Sequence, residues 1–236
     1  MELEEKIIEL ERPAIYVVAT PIGDRDDITL RAINVLRSAD LVICEERKIG
    51  SRLLKGYGIR QELIELNEHN EQKVSSELIM KIISENLAIA LISDAGTPLF
   101  ADPGNRFIPE SYRSGIRIIP VPGASSLMAA IMAAGISTGS FLYYGFLPAN
   151  RQSRQDAIRK LPHDCDIVLL EAPYRLMQVL SDLKKHLGAG RKAVLAWKLT
   201  YPEEQIIETD LGNLVKIAEN LGKGEFVLII RQRESR

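Results

Sequence analysis

Short runs of β-branched and other apolar residues alternate with helical patterns through the first half of the chain. Four runs are typical of strands: Ile15–Ala19, Leu41–Cys44, Ile89–Ile92 and Ile116–Val121. Helical spacing occupies the segments between and after them, at Thr29–Ser38, Val74–Asn86, Asn105–Ser114 and Ser125–Ala134. Alternation of this kind is typical of βαβ crossovers, so it predicts an α/β domain whose sheet is mostly parallel.

The second half of the chain has more closely spaced strand candidates. These are Phe141–Phe146, Ile167–Leu170, Ala193–Thr200, Gln205–Thr209 and Phe226–Ile230. Helices are expected at Ser153–Lys160, Arg175–His186 and Leu211–Asn220. The four residues 201–204 are short enough to form a hairpin between two strands, which indicates a mixed sheet. The sequence therefore predicts a second α/β domain.

The spacing of the predicted strands changes near Gly139. The length of 236 residues lies between the usual lengths for one domain and for two. We therefore expect an N-terminal domain over residues 13–138 and a C-terminal domain over residues 139–236.

Composition excludes several classes of protein. The 30 Lys and Arg residues nearly balance the 32 Asp and Glu residues, which excludes a polybasic nucleic-acid coat but allows a local basic patch. Cys44 and Cys165 lack neighbours at metal-ligand spacing, so no metal site is expected. The longest apolar stretch, 127–136, is far shorter than the roughly 20 residues of a membrane span. With an acidic N-terminus instead of a basic leader, the sequence indicates a cytoplasmic protein without membrane contact.

Three loops rich in Gly and Pro follow apolar strands. They are 20–24, 93–98 continuing to 102–104, and 120–126. In open α/β sheets, ligands bind at the carboxyl ends of the strands, so three such loops predict a ligand site. No P-loop motif is present, and the GxGxxA match at 188–193 follows a helix pattern and opens a strand, the reverse of a dinucleotide fingerprint. A ligand without phosphate groups is a sensible candidate.

Several motifs resemble the tetrapyrrole-methylase-fold methyltransferases. The resemblance begins at residues 15–23 with Asp27–Ala32, and it continues in the family's order through 93–98, 102–104, 120–125, 145–148, 171–175 and 223–228. Within that superfamily it is nearest to the cytidine 2′-O-methyltransferases of small-subunit ribosomal RNA. The resemblance implies two α/β domains with S-adenosylmethionine in a cleft between them. It also implies a homodimer and an RNA partner.

The resemblance assigns the cofactor contacts residue by residue. They are Pro21, Ala95, Gly96, Thr97, Phe100, Ser125, Ser126, Glu171, Ala172 and Thr200. Gly23 and His69 would lie on the substrate side. Arg151, Arg154 and Arg175 lie near predicted strand ends, where they are candidates for contacts with RNA phosphates. A ribose hydroxyl benefits from a general base, for which Glu45, Glu46 and Asp102 are the candidates.

The segment after the second strand departs from the family pattern. The family has Cys-Glu-Asp-Thr-Arg-His-Thr where this chain has Cys44-Glu45-Glu46-Arg47-Lys48-Ile49-Gly50. Because this segment faces substrate in the family, two alternatives stay open at this point. One is a small, tetrapyrrole-like substrate for the same cofactor. The other is a module that binds cofactor or RNA without catalysis.

Overall fold

The computed structural model describes residues 6–99, 104–136 and 139–233. The chain forms two compact units that divide between Ser125 and Ser126. Each unit contains one five-stranded sheet with helices packed on it.

The first unit is built on an entirely parallel sheet. Its strands are β1 (Ala14–Val18), β2 (Leu41–Cys44), β3 (Leu63–Glu65), β4 (Ala88–Ile92) and β5 (Arg117–Val121). They lie in the order β3-β2-β4-β1-β5, and every pairing in the sheet is parallel. Strands β2 and β4 are buried along their whole length, as expected of strands covered on both faces. The predicted parallel α/β architecture is confirmed.

Helices cover both faces of this sheet. They are α1 (Leu30–Ser38), α2 (Arg47–Gly56), α3 (Glu71–Ser84) and α4 (Phe107–Arg113). One face carries Tyr16 and Val18 against apolar residues of α1 and α2, while Ile15 on the other face packs with α3 and α4. Successive residues of β1 thus serve opposite cores, which follows from the alternation of side chains along a strand.

Strand β3 and helix α2 have no counterpart in the sequence-based prediction. Strand β3 has only three residues, all half-buried, because it lies at the edge of the sheet. Helix α2 buries only Gly50 and Leu54, so its apolar stripe is too narrow to stand out in a strongly basic segment.

The second unit begins with helix α5 and contains a mixed sheet. Its elements are α5 (Ser126–Ala134), β6 (Phe141–Gly145), α6 (Arg151–Arg159), β7 (Asp166–Glu171), α7 (Leu176–Leu187), β8 (Lys192–Trp197), β9 (Gln205–Asp210), α8 (Leu211–Ala218) and β10 (Phe226–Ile230). The order is β6-β7-β10-β8-β9. Strands β6 and β7 pair in parallel and the other pairings are antiparallel, including the predicted β8–β9 hairpin.

Two details of the second unit differ from the sequence-based boundaries. Strand β8 ends at Trp197 and does not continue to Thr200, because Lys198 and Thr200 have positive φ angles of 48° and 64°. Helix α5 packs against β8, β9 and β10, so the compact units separate before this helix, whereas the expected boundary near Gly139 falls after it.

A buried ion pair joins helices α6 and α7. Arg154 is fully buried, and its Nε donates to Asp182 Oδ2 at 2.8 Å. Its Nη1 also donates to the carbonyl oxygen of Ala149 at 2.9 Å, and Gln155 donates to the other oxygen of Asp182 at 3.0 Å. Burial alone would raise the pKa of Asp182, but the bonds from Arg154 and Gln155 outweigh it and the pKa is lowered.

We expect Arg154→Met to lower the free energy of unfolding by about 3–5 kcal/mol at pH 7, because it leaves Asp182 buried without its cation. The matched control is Arg151→Met on the same helix, whose exposed side chain should contribute within about 0.5 kcal/mol. Urea unfolding of the three proteins measures the difference. The Arg154 effect should shrink as the pH falls through the lowered pKa of Asp182, and a loss equal to that of Arg151→Met would contradict the assignment.

Candidate functional site

Three loops of the first unit meet at the carboxyl edge of its sheet. Strands β4, β1 and β5 are neighbours, so the segments that follow them begin side by side. Thr20 and Gly96 form a two-way backbone bridge, with N–H to O distances of 2.8 and 3.1 Å. Ala19 N–H donates to the carbonyl oxygen of Val121 at 3.1 Å. The predicted ligand loops are therefore bonded to one another.

Gly96 is the tightest point of this loop cluster. Its φ angle is +81°, and a Cβ atom there would lie 3.0 Å from Ile22 Cγ2. The next residue, Thr97, donates its hydroxyl to the carbonyl oxygen of Ala124 at 3.0 Å. The turn is thus held against both neighbouring loops, and only glycine adopts this backbone without strain.

The structure brings together most of the first-unit residues predicted for the cofactor. Pro21, Gly23 and Ser125 are half-buried around the Ala95–Thr97 turn, and Ala95 is exposed. Phe100 and Asp102 lie outside the described residues. Ser126, Glu171, Ala172 and Thr200 belong to the second unit.

Sequence reasoning missed a carboxylate at this edge. Asp94 lies two residues after the end of β4, and its Oδ1 accepts the backbone N–H of Glu46 at 3.3 Å. Burial raises the pKa of Asp94, and the nearby carboxylates of Glu46 and Glu65 raise it further against the lowering effect of the bond from Glu46. The sequence did place Asp94 in the 93–98 loop, which was already predicted to be part of a ligand site, and that position was the available sign of its role.

Two of the predicted base candidates, Glu45 and Glu46, lie beside it. Glu46 is exposed and immediately precedes helix α2, while Glu45 is half-buried. His69 lies after β3 with its side chain 85% exposed, in a turn where its N–H donates to Asn67 Oδ1 at 3.1 Å.

In the second unit, two arginines bind the loop that follows β6. Arg175 donates to the carbonyl oxygens of Leu147 and Pro148, both at 3.0 Å, and its Nη1 lies 3.1 Å from Glu171 Oε2. The other oxygen of Glu171 accepts Leu147 N–H at 3.1 Å. Burial raises the pKa of Glu171, while Arg175 and the backbone bonds lower it in part.

This geometry corrects two of the expected phosphate contacts. Arg154 is 0% exposed and Arg175 is 8% exposed, and both are bound to carboxylates and carbonyls of their own unit. They hold the 147–149 loop in shape and are not available to an RNA backbone. The third, Arg151, is exposed at the start of α6.

The turn containing Thr200 is closely packed. Thr200 N–H donates to Glu204 Oε2 at 2.7 Å, and Lys198 Nζ lies 4.9 Å from the centre of the Trp197 ring. A Cβ atom on Gly224 would lie 2.7 Å from Lys198 Cγ and 2.8 Å from Trp197 Nε1. The Lys223–Leu228 motif thus contributes a close backbone approach to this turn.

Two solved structures illustrate the proteins that share this fold. Uroporphyrin-III-C-methyltransferase from Thermus thermophilus matches with a TM-score of 0.66 and 22% identity over 94% of this chain and 95% of that one. Diphthine synthase matches with a TM-score of 0.71 and 19% identity, over 94% and 92% of the two chains. At these identities the likeness shows the fold alone.

The family model described as Tetrapyrrole (Corrin/Porphyrin) Methylases matches residues 14–215, and this chain belongs to that family. Two close relatives are both named ribosomal RNA small subunit methyltransferase I. The protein from Pasteurella multocida is 39% identical over 92% of this chain and 78% of its own length. That from Escherichia coli O157:H7 is 40% identical over 92% and 77%. The resemblance stated from the sequence is confirmed: the protein is a methyltransferase with S-adenosylmethionine as its cofactor.

The donor set of the first unit fits this cofactor. S-adenosylmethionine has no phosphate group, so backbone groups and hydroxyls suit it better than a phosphate cradle. The Ala95–Thr97 turn offers backbone at an open edge, and its glycine leaves no room for a side chain. No helix in 6–99, 104–136 or 139–233 is long and apolar enough to span a bilayer.

We expect Gly96→Ala to weaken S-adenosylhomocysteine binding at least about tenfold, because the left-handed backbone costs about 1–2 kcal/mol with a Cβ atom and Ile22 must also move. Isothermal titration calorimetry measures the affinity. Gly58→Ala is the matched control, since Gly58 has a similar φ of +68° but open space around its Cβ position. It should lose stability yet bind as the wild type does. Equal affinities in the two variants would contradict this role for the turn.

We expect Asp94→Asn to stabilise the fold increasingly as the pH rises from the ordinary pKa of an aspartate through the raised pKa of Asp94. A raised pKa means that the folded state holds the proton more tightly than the unfolded chain, so ionisation of Asp94 costs stability at higher pH. Thermal unfolding across this range measures the difference from the wild type. Glu68→Gln, which removes an exposed carboxylate, serves as control and should give no such trend. A constant difference for Asp94→Asn would contradict the assignment.

Proposed function

We propose that this protein transfers a methyl group from S-adenosylmethionine to a ribose 2′-hydroxyl of small-subunit ribosomal RNA. The observation that carries the proposal is the pair of relatives near 40% identity, both named for methylation of that RNA. A tetrapyrrole substrate is less well supported, since the solved uroporphyrin enzyme shares only 22% identity. This chain covers most of the length of these two relatives, 78% and 77%.

The family resemblance gives candidate cofactor contacts within each unit. In the first, the backbone of Ala95–Thr97 and the Ser125 hydroxyl would hold the cofactor, with Pro21 forming part of the floor. The expected contacts to Phe100 and Ser126 belong to the same proposal. In the second, Glu171, Ala172 and Thr200 are the corresponding candidates, and the bonds that fix Glu171 to Leu147 support a rigid arrangement.

The bound cofactor supplies a methyl group on a sulfonium, a good leaving group, so this chain needs chiefly to position the ribose and exclude water. The ribose hydroxyl must also lose its proton. A carboxylate with a raised pKa is suited to accept it near neutral pH, which favours Asp94. Glu46, bonded to Asp94 through its N–H, and Glu45 are the neighbouring candidates. Asp102, outside the described residues, stays a candidate from the sequence.

Helix α2 is the proposed surface for the RNA backbone. Its four basic residues, Arg47, Lys48, Arg52 and Lys55, are all exposed, and its sequence contains no acidic residue. The helix starts directly after Glu46, beside the carboxylates of the sheet edge. A local cationic helix on a protein with a net charge of −2 supports binding to phosphates at one place. Arg151, Gly23 and His69 are further candidates for contact with substrate.

The remaining parts of the proposal concern assembly and location. The family resemblance implies a homodimer, and the sequence itself indicates a cytoplasmic location. Sedimentation equilibrium of the purified chain tests the first.

We expect the protein to transfer tritium from labelled S-adenosylmethionine to small ribosomal subunits taken from a strain that lacks its gene. A 2′-O-methyl group protects the adjacent phosphodiester from alkaline cleavage, so the label should survive in an alkali-resistant dinucleotide. Subunits from the parent strain should accept little label, because the site is already methylated. Label in a base, or none in RNA, would overturn the proposal.

The same assay identifies the proton acceptor. Removal of the general base should lower kcat by about 10²–10⁴ while binding of S-adenosylhomocysteine is unchanged. Asp94→Asn should show this loss, with Glu46→Gln as the comparison at the same edge. Glu68→Gln is the control for an exposed carboxylate elsewhere. Full activity in both Asp94→Asn and Glu46→Gln would exclude the proposed pair.

A further inference from the structure

A cavity lies in the second unit, at the opposite end of strand β7 from Glu171. It has a volume of about 920 Å³ and opens where β7 and β8 begin and β10 ends. Asp166 begins β7 and Glu171 ends it, so the length of the strand separates the cavity from the Glu171–Arg175 pair. The cavity includes Gly188 and Gly190, from the glycine-rich segment that does not fit a dinucleotide motif.

Arg191 lines this cavity and is only 7% exposed. Within residues 6–99, 104–136 and 139–233, none of its three guanidinium nitrogens has a hydrogen-bond partner. An unpaired buried charge is costly, so buried guanidinium groups normally lie against carboxylates or carbonyls. Arg154 and Arg175 follow that rule in the same unit, and Arg191 departs from it.

The acidic residues of the cavity do not neutralise Arg191. Asp166 accepts Gln232 N–H at 2.7 Å with one oxygen and Arg231 Nη1 at 3.1 Å with the other. Glu208 lies 3.2 Å from Arg231 as well. Both carboxylates are therefore engaged with one arginine and its neighbouring backbone.

The remaining charges in the cavity are positive. Lys192 and Arg233 line it and are exposed. Burial lowers the pKa of Arg191, and the charge of Arg233 lowers it further against the opposite effect of Asp166. Among the described residues, the cavity thus has a surplus of cations next to an arginine without a bonded carboxylate.

We propose that this cavity binds an oxyanion of the phosphate class, with Arg191 as its main ligand and Lys192 and Arg233 at its mouth. Guanidinium groups donate in a fixed fork that matches the geometry of phosphate oxygens. The anion would be either a phosphodiester of the RNA or a free phosphate ester. The inference goes beyond the proposed methyl transfer and does not depend on it.

The test titrates the full-length protein with inorganic phosphate at constant ionic strength, followed by calorimetry and by thermal unfolding. The wild type should bind saturably and unfold at higher temperature as phosphate is added. Arg191→Met should lower phosphate affinity at least about tenfold, since it removes the charge-assisted hydrogen bonds that the guanidinium would donate to the anion. Lys185→Met, an exposed cation on α7, is the control and should bind as the wild type does.

Stability gives a second readout. In chloride buffer without phosphate, Arg191→Met should unfold at the same temperature as the wild type or higher, because it removes an unpaired buried charge. If that variant does not fold, the double variant Lys192→Met/Arg233→Met changes only exposed side chains and should weaken phosphate binding. Non-saturable binding in the wild type, or equal affinity in all variants, would overturn the site.

Binding of a small-subunit RNA fragment distinguishes the two sources of the anion. If the RNA backbone occupies the cavity, Arg191→Met weakens RNA binding and phosphate competes with the RNA. If a free phosphate ester occupies it, RNA binding is unchanged while phosphate binding is lost. The phosphate titration involves neither cofactor nor methyl transfer, so its failure is separate from any failure of the proposed activity.

Discussion

The register of three parallel strands determines where the loops proposed to hold the cofactor lie. Val18 at the end of β1 pairs with Ile92 on one side and with Val121 on the other. Because the three strands end level with one another, their register alone places the segments after them at one edge of the sheet. The Thr20–Gly96 bridge then fixes the first two loops to each other, and Thr97 reaches the third through Ala124. A shift in this register would separate the loops and disperse the site.

Local patterns predicted this part of the molecule well, because buried parallel strands are continuous apolar runs. The same reasoning failed at β3 and α2, where burial is partial and the apolar signal is weak. Asp94 was missed for a different reason. Its pKa is raised first by burial and then by the carboxylates of Glu46, which follows β2, and Glu65, which ends β3. These groups come near Asp94 only in the folded sheet.

The arginines of the second unit show what a sequence leaves undetermined. Arg154, Arg175 and Arg191 all lie near ends of predicted elements, and position alone suggested phosphate contacts for the first two. Folding instead places Arg154 against Asp182 and Arg175 against Glu171, where each holds the 147–149 loop. Whether a buried guanidinium is structural or available to an anion depends on where the carboxylates lie, which residue spacing does not specify.

The Ala95–Thr97 turn would contact the cofactor through its backbone, whereas the segment 46–50 presents side chains. This difference explains why the chain keeps the first motif of the family and departs from the second. The Ala95–Thr97 turn presents backbone groups, so its requirements are a glycine at positive φ and close neighbours. Those requirements hold whatever the substrate is. The segment 46–50 contains the residue before α2 and the first turn of that helix. Only Gly50 of these five residues is buried, and it lies against Cys44. The exposed side chains can therefore change without disturbing the helix. Substitutions there alter charge and shape at the sheet edge while the strands behind it stay in place. Altered recognition of RNA is therefore compatible with unaltered chemistry of methyl transfer.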